Sequence, residues 1–319
     1  MLRHREKVLA HAEQQLRSQG QLNSAELLSL YKKFLKIENH RIRLKHYSGG
    51  GGREICAQRA SLVDIVLRHL LDAAQETNAD GPQLPKLALV AIGGYGRGEL
   101  NPFSDVDIMF LHDDGAKQLD PRINDIVQQI LYMLWDVGFK VGHSTRSISD
   151  AIKHANSDML SKTALLESRY IAGDESLFEK FRTTFVEKCV EKHVEEYIAQ
   201  RVDNQAERHE KFGHTVYLQE PNIKNGCGGL RDYQNLLWIS FFKERVQTTA
   251  GLVEKKLLNE AERRQLDRAY DFLLRIRTEL HYLNKRTTDV IILSQQLQIA
   301  NQSGVIGGLF GAGGCQGTE

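Results

Sequence analysis

Two short apolar runs, and the little chain between them, constrain this protein most. Leu87-Ala88-Leu89-Val90-Ala91-Ile92 is wholly apolar, follows Pro82 and Pro85, and runs into Gly93. Its length and flanks favour a central strand. Asp105-Val106-Asp107-Ile108-Met109-Phe110-Leu111 reads as a second strand, with Val106, Ile108 and Phe110 on one face. Only residues 93–104 separate the two, and Pro102 sits among them. A parallel crossover needs about a dozen residues or more, usually a full helix. The pair therefore does not open a dinucleotide-binding unit. The glycines, at 93, 94, 96 and 98, also miss that fingerprint's spacing, although Asp113 lies where its acidic residue would be sought.

The second run carries the chemistry. Residues i and i+2 of a strand point to the same side, so Asp105 and Asp107 project together, about 6 to 7 Å apart at their backbones. Like charges side by side repel, and Asp is a poor strand former. Either the pair is a solvated edge or a cation offsets the repulsion. A hard divalent ion such as Mg²⁺ takes one or two carboxylates together with substrate phosphates. Gly93 and Gly94, at the end of a buried strand, let backbone N–H groups approach a phosphate closely. A short helix over Tyr95 to Leu100 would add the partial positive charge of its amino end. Arg97 offers a full charge there, and Ser104 either bonds to phosphate or caps a turn. The chemistry this suits is nucleotidyl transfer. An acceptor hydroxyl attacks the α-phosphate of a nucleoside triphosphate and pyrophosphate leaves, while the protein contributes positioning and electrostatics.

The remaining chain is mostly helical in pattern. Leu27, Leu28, Leu30, Tyr31, Phe34 and Leu35 recur at helical spacing. Ser48 and Gly49-Gly50-Gly51-Gly52 then interrupt, as a flexible link or as a loop laid against a ligand. A helix follows from Arg53 to about Ala74. Residues 122–137 form an amphipathic helix that Gly138 would cap. Strands are expected at Phe139 to Ser144 and at Thr163 to Ile171, then one long helix from Glu175 to Phe212, a loop over 213–230, and helices over 232–245 and 262–285. The fold class is α+β: a small mixed-sheet core over 81–174, an N-terminal helical region over 1–80 and a C-terminal helical domain over 175–302. Residues 303–319 hold 7 glycines in 17 residues, too few apolar groups to bury a core, and read as a disordered or truncated tail.

Composition narrows the partners. Lys plus Arg is 42 and Asp plus Glu is 41, a net charge of +1. That leaves no broad field for nucleic acid, and none is expected as a partner. The cysteines, at 56, 189, 227 and 315, fit neither a disulfide framework nor a zinc site, which points to a reducing, cytoplasmic setting. The first residues open a charged helix pattern without an apolar signal core, and no stretch approaches a membrane span.

The segment Gly93-Gly94-Tyr95-Gly96-Arg97-Gly98-Glu99-Leu100-Asn101-Pro102-Phe103-Ser104-Asp105-Val106-Asp107 resembles the signature of the polymerase-beta-like nucleotidyltransferase superfamily. More narrowly, it resembles the uridylyltransferase domain of the bacterial enzymes that modify the PII nitrogen-signalling protein. Leu134-Trp135-Asp136-Val137-Gly138-Phe139-Lys140-Val141-Gly142-His143-Ser144 is similar to that family too. So is the run from Glu220-Pro221-Asn222-Ile223-Lys224 to Gly228-Gly229-Leu230-Arg231-Asp232-Tyr233-Gln234. The resemblance covers about residues 86–300. It implies a polymerase-beta-like core and uridylyl transfer from UTP to a tyrosine hydroxyl of a PII-like protein, with Mg²⁺ or Mn²⁺. Gly93, Gly94, Asp105 and Asp107 would take the phosphate and metal roles. The superfamily's third carboxylate, expected on a neighbouring strand, matches no motif here. Glu167 is the candidate, against an ion pair with Arg169 or another base.

Lys224 and Arg231 flank glycines just before a helix start, as a second clamp for phosphate or base or as an ordinary capping loop with Asp232 at the helix amino end. The glutamine synthetase adenylyltransferases carry a similar run, so adenylyl transfer is the alternative, and a non-catalytic nucleotide-binding or interaction module left by truncation is another. His143 follows a short strand near the expected site. Trp135 and Trp238 lie in apolar helical stripes and read as core. Family members continue into a hydrolase domain and ligand-sensing domains, whose His-Asp pairs this chain lacks, so nucleotide removal and glutamine sensing are not expected of it.

Overall fold

The computed structural model describes residues 2–16, 23–78, 84–113 and 119–302. The glycine-rich stretch 303–319 and Pro82 lie outside them. The fold is α+β, and the chain divides into two compact units, residues 1–43 with 56–200 and residues 44–55 with 201–319. These units do not follow the expected boundaries at 80 and 174.

The first unit contains α1 (Leu2–Leu16), most of α2 (Ser24–Tyr47) and most of α3 (Gly52–Thr77), followed by a four-stranded sheet. Its strands are β1 (Leu87–Ala91), β2 (Val106–His112), β3 (Val141–Ser147) and β4 (Arg169–Gly173), in the order β3-β2-β1-β4. Interleaved with them are α4 (Gly93–Gly96), α5 (Pro121–Asp136), α6 (Ile148–Ser157) and α7 (Met159–Leu166), then α8 (Glu175–Phe185) and the first part of α9 (Val194–Lys211). The connections set the strand directions. The short glycine link leaves β1 and β2 antiparallel, whereas α5 supplies the crossover that makes β2 and β3 parallel. Every residue of β1 is buried, and so are Val106 and Ile108 to Leu111 of β2, as expected of central strands.

Local chemistry fixes most ends. Asp120 caps α5, with Pro121 at its first position, and Gly138 follows that helix with φ +97°. Two expectations fail. Thr163 to Leu166 are helical, not extended, because the Asp158 side chain accepts the Ser161 N–H and starts α7. The strand is only Arg169–Gly173. The expected helix from Glu175 to Phe212 is two helices. A π-helical turn over Val186–Val190, closed by the Glu191 N–H to Val186 O bond of 3.0 Å, intervenes. Val190 at the end of that turn is buried, as are Leu177, Phe178, Phe181 and Phe185 of α8.

The second unit is helical: the rest of α9, then α10 (Leu230–Glu244), α11 (Thr249–Glu254), α12 (Glu260–Asn284) and α13 (Leu293–Gln302). An Asn259–Glu262 capping box starts α12. The tetraglycine is neither a flexible link nor a ligand loop. The Arg53 N–H bonds to Asp271 Oδ1 at 2.8 Å, and a Cβ on Gly52 would lie 2.2 Å from Asp271 O and 2.4 Å from the Arg275 amide nitrogen. Here glycine lets the first turn of α3 press against the backbone of α12.

Candidate active site

The site grows from the end of β1. The Ile92 N–H bonds to Asp107 O at 3.0 Å, locking the strand end to β2. The chain then turns through Gly93, whose φ of +57° lies in the left-handed region that glycine enters without steric cost. The glycines themselves form α4, one turn long, rather than preceding a helix at Tyr95. Gly96 has a packing role: a Cβ there would fall 2.0 Å from Glu167 O.

A buried network that the sequence did not reveal holds this turn. Tyr95 is buried, and its hydroxyl donates to Asp64 Oδ1 at 2.6 Å. Arg169 binds both Asp64 oxygens, at 2.7 and 3.0 Å, and reaches the carbonyls of Tyr95 and Gly96, each at 3.2 Å. Burial, and then the Asp64 charge, push the Tyr95 hydroxyl well above its usual pKa, so it stays a donor. Arg169 is thus the partner of Asp64, not of Glu167.

The two aspartates lie at the start of β2, which begins at Val106, one residue after Asp105. Asp105 is exposed and Asp107 half-buried, while Val106 and Ile108 are wholly buried. This alternation sets the two carboxylates on one side. Asp107 Oδ2 lies 3.8 Å from where a Gly93 Cβ would stand, and Oδ1 only 2.3 Å from the equivalent point at Gly142. Gly142 is the residue paired with Asp107 in β3. The carboxylate therefore occupies the space between the glycine turn and a strand position that must lack a side chain. Gly142 is a site residue that sequence reasoning missed. Its signal was a lone glycine inside a strand.

The other sequence candidates fall in several places. Arg97 is engaged by two carboxylates: its Nε donates to Glu99 at 2.8 Å and its Nη1 to both Glu167 oxygens at 2.5 Å. Glu167 is thus the ion-pair partner of Arg97. Neither neighbour of β2 carries an acid, since β1 is apolar and β3 reads Val-Gly-His-Ser-Thr-Arg-Ser. Among the described residues no group of three His, Cys, Asp or Glu side chains suits a metal. The Ser104 hydroxyl is buried and has no hydrogen-bond partner among the described residues, so it caps no turn. Beside it, Phe103 is exposed and strained, with φ +61°. His143 lies on the opposite face of β3 from Gly142 and packs edge-on against Trp135, 6.0 Å between ring centres. Trp135 itself is 45% exposed. It falls off the buried stripe of α5, which runs through Ile123, Ile126, Ile130 and Leu134.

Lys224 and Arg231 belong to the second unit. Their backbones meet, Arg231 N–H to Lys224 O at 2.9 Å. Lys224 Nζ lies 3.9 Å from Asp289, and the Arg231 guanidinium lies over the buried Trp238 ring at 5.1 Å. Burial works to raise the Asp289 pKa, but the His281 hydrogen bond and the Arg277 and Lys224 charges outweigh it and hold the carboxyl well below the usual range. Asp232 accepts from the Gly228 N–H at 2.8 Å and pairs with Arg208 and His209. It ties the loop to α9, and Gly229 takes the cap position of α10.

Comparison with known proteins accords with this geometry. Residues 73–171 match the nucleotidyltransferase domain family, and residues 196–308 match the GlnD PII-uridylyltransferase family. The chain carries the nucleotidyltransferase region of this uridylyltransferase family. It is 38% identical over 266 residues to a bifunctional uridylyltransferase/uridylyl-removing enzyme of Azospirillum brasilense, covering 82% of this chain and 28% of that protein. The corresponding enzyme of Erythrobacter litoralis is 38% identical over 259 residues, covering 79% of this chain and 27% of that protein. The uridylyltransferase-family region described here thus spans little more than a quarter of these relatives. No described helix is long and apolar enough to cross a membrane.

Proposed function

We propose that this domain transfers UMP from UTP to a tyrosine hydroxyl of a PII-like protein, with Mg²⁺ or Mn²⁺ held by Asp105 and Asp107. One observation carries the reading: the Asp107 carboxylate stands between the left-handed glycine turn and the bare Gly142, and the exposed Asp105 lies two residues before it. Two hard oxygen donors at a glycine turn fit a divalent ion that completes its shell with phosphate oxygens. When bound, such an ion neutralises phosphate charge and polarises the reacting oxygens. The rest is positioning by the chain's own groups. The backbone of Gly93 and Gly94 leaves room for the phosphates, and the Asp64–Tyr95–Arg169 network holds that backbone still. The acceptor oxygen attacks the α-phosphorus, the α–β phosphoanhydride bond breaks, pyrophosphate departs and the phenolic proton passes to solvent. Cys56, Cys189 and Cys227 form no disulfide among the described residues, which suits the reducing cytoplasm as the setting.

The test is incubation with a PII protein, Mg²⁺ and labelled UTP, CTP, ATP or GTP in turn. Label should arrive from UTP, and Asp105→Asn combined with Asp107→Asn should lower the rate by about 10³-fold or more. Transfer that survives the double substitution refutes the site. Label from ATP instead identifies an adenylyltransferase, and triphosphate binding without turnover identifies a binding module.

A further inference from the structure

We propose that the open edge of β3 is where the protein acceptor docks, as an extended segment that pairs with β3 and carries the reacting hydroxyl. The inference rests on the uridylyl-transfer reading and deepens it. Among the described residues β3 is the outer strand of the sheet, paired only with β2. Such an edge presents unpaired N–H and C=O groups that template another strand. Two grooves meet at it, with Ser144 and Thr145 lining both.

One groove, of about 380 Å³, mixes apolar side chains with Asn124 and Gln128 of α5. Val127 and Leu131 of α5 are buried within it, while the exposed Tyr132 and Trp135 and His143 of β3 stand at it. The other, of about 440 Å³, is lined by Arg146, Lys153 and His154, with Asp150 as its acid. Side chains alternate along a strand, so a segment laid on this edge would send successive residues to opposite faces of the sheet. Gly142, Ser144 and Arg146 share the Asp107 face by register, so the reacting hydroxyl belongs on that face. An acidic neighbour two or four residues away would meet Arg146 and Lys153.

Gly142 makes the reach workable. Strands lie about 4.8 Å apart, so an added strand would stand about 10 Å from β2. Between them, at the position paired with Asp107, there is no side chain, and the Asp107 carboxylate itself leans over Gly142. A tyrosine crossing there meets no β3 side chain at the position paired with Asp107.

The experiment uses the wild-type chain, a PII protein, Mg²⁺ and a non-hydrolysable UTP analogue. Hydrogen exchange of amides within 141–147 should slow when the PII protein is added. In turnover assays Trp135→Ala and Lys153→Glu should each raise KM for the PII protein by about tenfold, with KM for UTP unchanged. A wild-type chain that labels no PII protein sinks the uridylyl reading and this docking with it. Labelling by the wild type, with β3 amides unprotected and KM for the PII protein unchanged in both variants, overturns the edge site alone.

Discussion

Two glycine runs in this chain look alike on paper and serve opposite ends. At Gly52 a methyl group would stand 2.2 Å from one backbone atom of α12 and 2.4 Å from another, so the missing side chain has already been replaced by protein. At Gly93 and Gly94 the nearest atoms to such a methyl lie at 3.8 and 3.6 Å. Nothing among the described residues comes closer, and the carboxylate facing that space belongs to Asp107. The first run is glycine because two helices pack there. The second turns through φ +57° at Gly93 and leaves the space beside it open. Gly142 is a third kind, crowded at 2.3 Å by the side chain it makes room for.

The largest expected effect breaks that third case. Gly142→Ala must displace the Asp107 carboxylate, so UMP transfer should fall by about 10² to 10³-fold, comparable to removing a group that stabilises developing charge. Stability should hardly change, because alanine suits a strand at least as well as glycine. The check is kcat alongside a melting curve. A rate near wild type would show that Asp107 works from another position.

Next is Gly52→Ala. Its Cβ meets backbone, which does not swing aside as a side chain tip would. Overpacking of this kind costs about 1 to 3 kcal/mol, at times more, and the expectation is the upper end. A urea titration reads it as a lowered midpoint with unchanged slope. A loss well under 1 kcal/mol would mean that α3 and α12 separate easily, and the contrast with Gly94 would weaken.

These contrasts also show how much could be read in advance. The aspartate pair, the glycine turn, the central strand and the cap at Gly138 were legible, because each depends on residues adjacent in sequence. Gly142 opposite Asp107 was not, because strand register brings them together across α5. Nor was the Asp64–Tyr95–Arg169 network, whose members span more than a hundred positions (|i−j| is 105 for Asp64 and Arg169). The same limit applied to Glu167. It stood as a ligand candidate against an ion pair with Arg169 or another base, and that base, Arg97, lies 70 positions away. The tetraglycine was ambiguous for the reverse reason: flexibility and close packing demand the same residue, and only the approach of α12 distinguishes them.

The smallest effect sharpens the claim about the open turn. Gly94 does not require a left-handed backbone, and a methyl there would meet Arg97 Nη2 and Glu99 O at 3.6 Å, which is ordinary contact. Gly94→Ala should therefore fold as well as wild type. If triphosphate lies against this turn, the methyl intrudes on it and UTP affinity should drop by about tenfold, or about 1.4 kcal/mol, as calorimetry with UTP and Mg²⁺ would measure. Gly98→Ala is the matched control. Gly98 has φ +73° with nothing within 4 Å of an added Cβ, so its substitution should cost about 1 kcal/mol of stability through backbone strain and leave UTP affinity alone. Were the two variants to behave alike, both losing stability and neither losing nucleotide, the turn at Gly93 and Gly94 would be a bend in the chain and not a seat for phosphate.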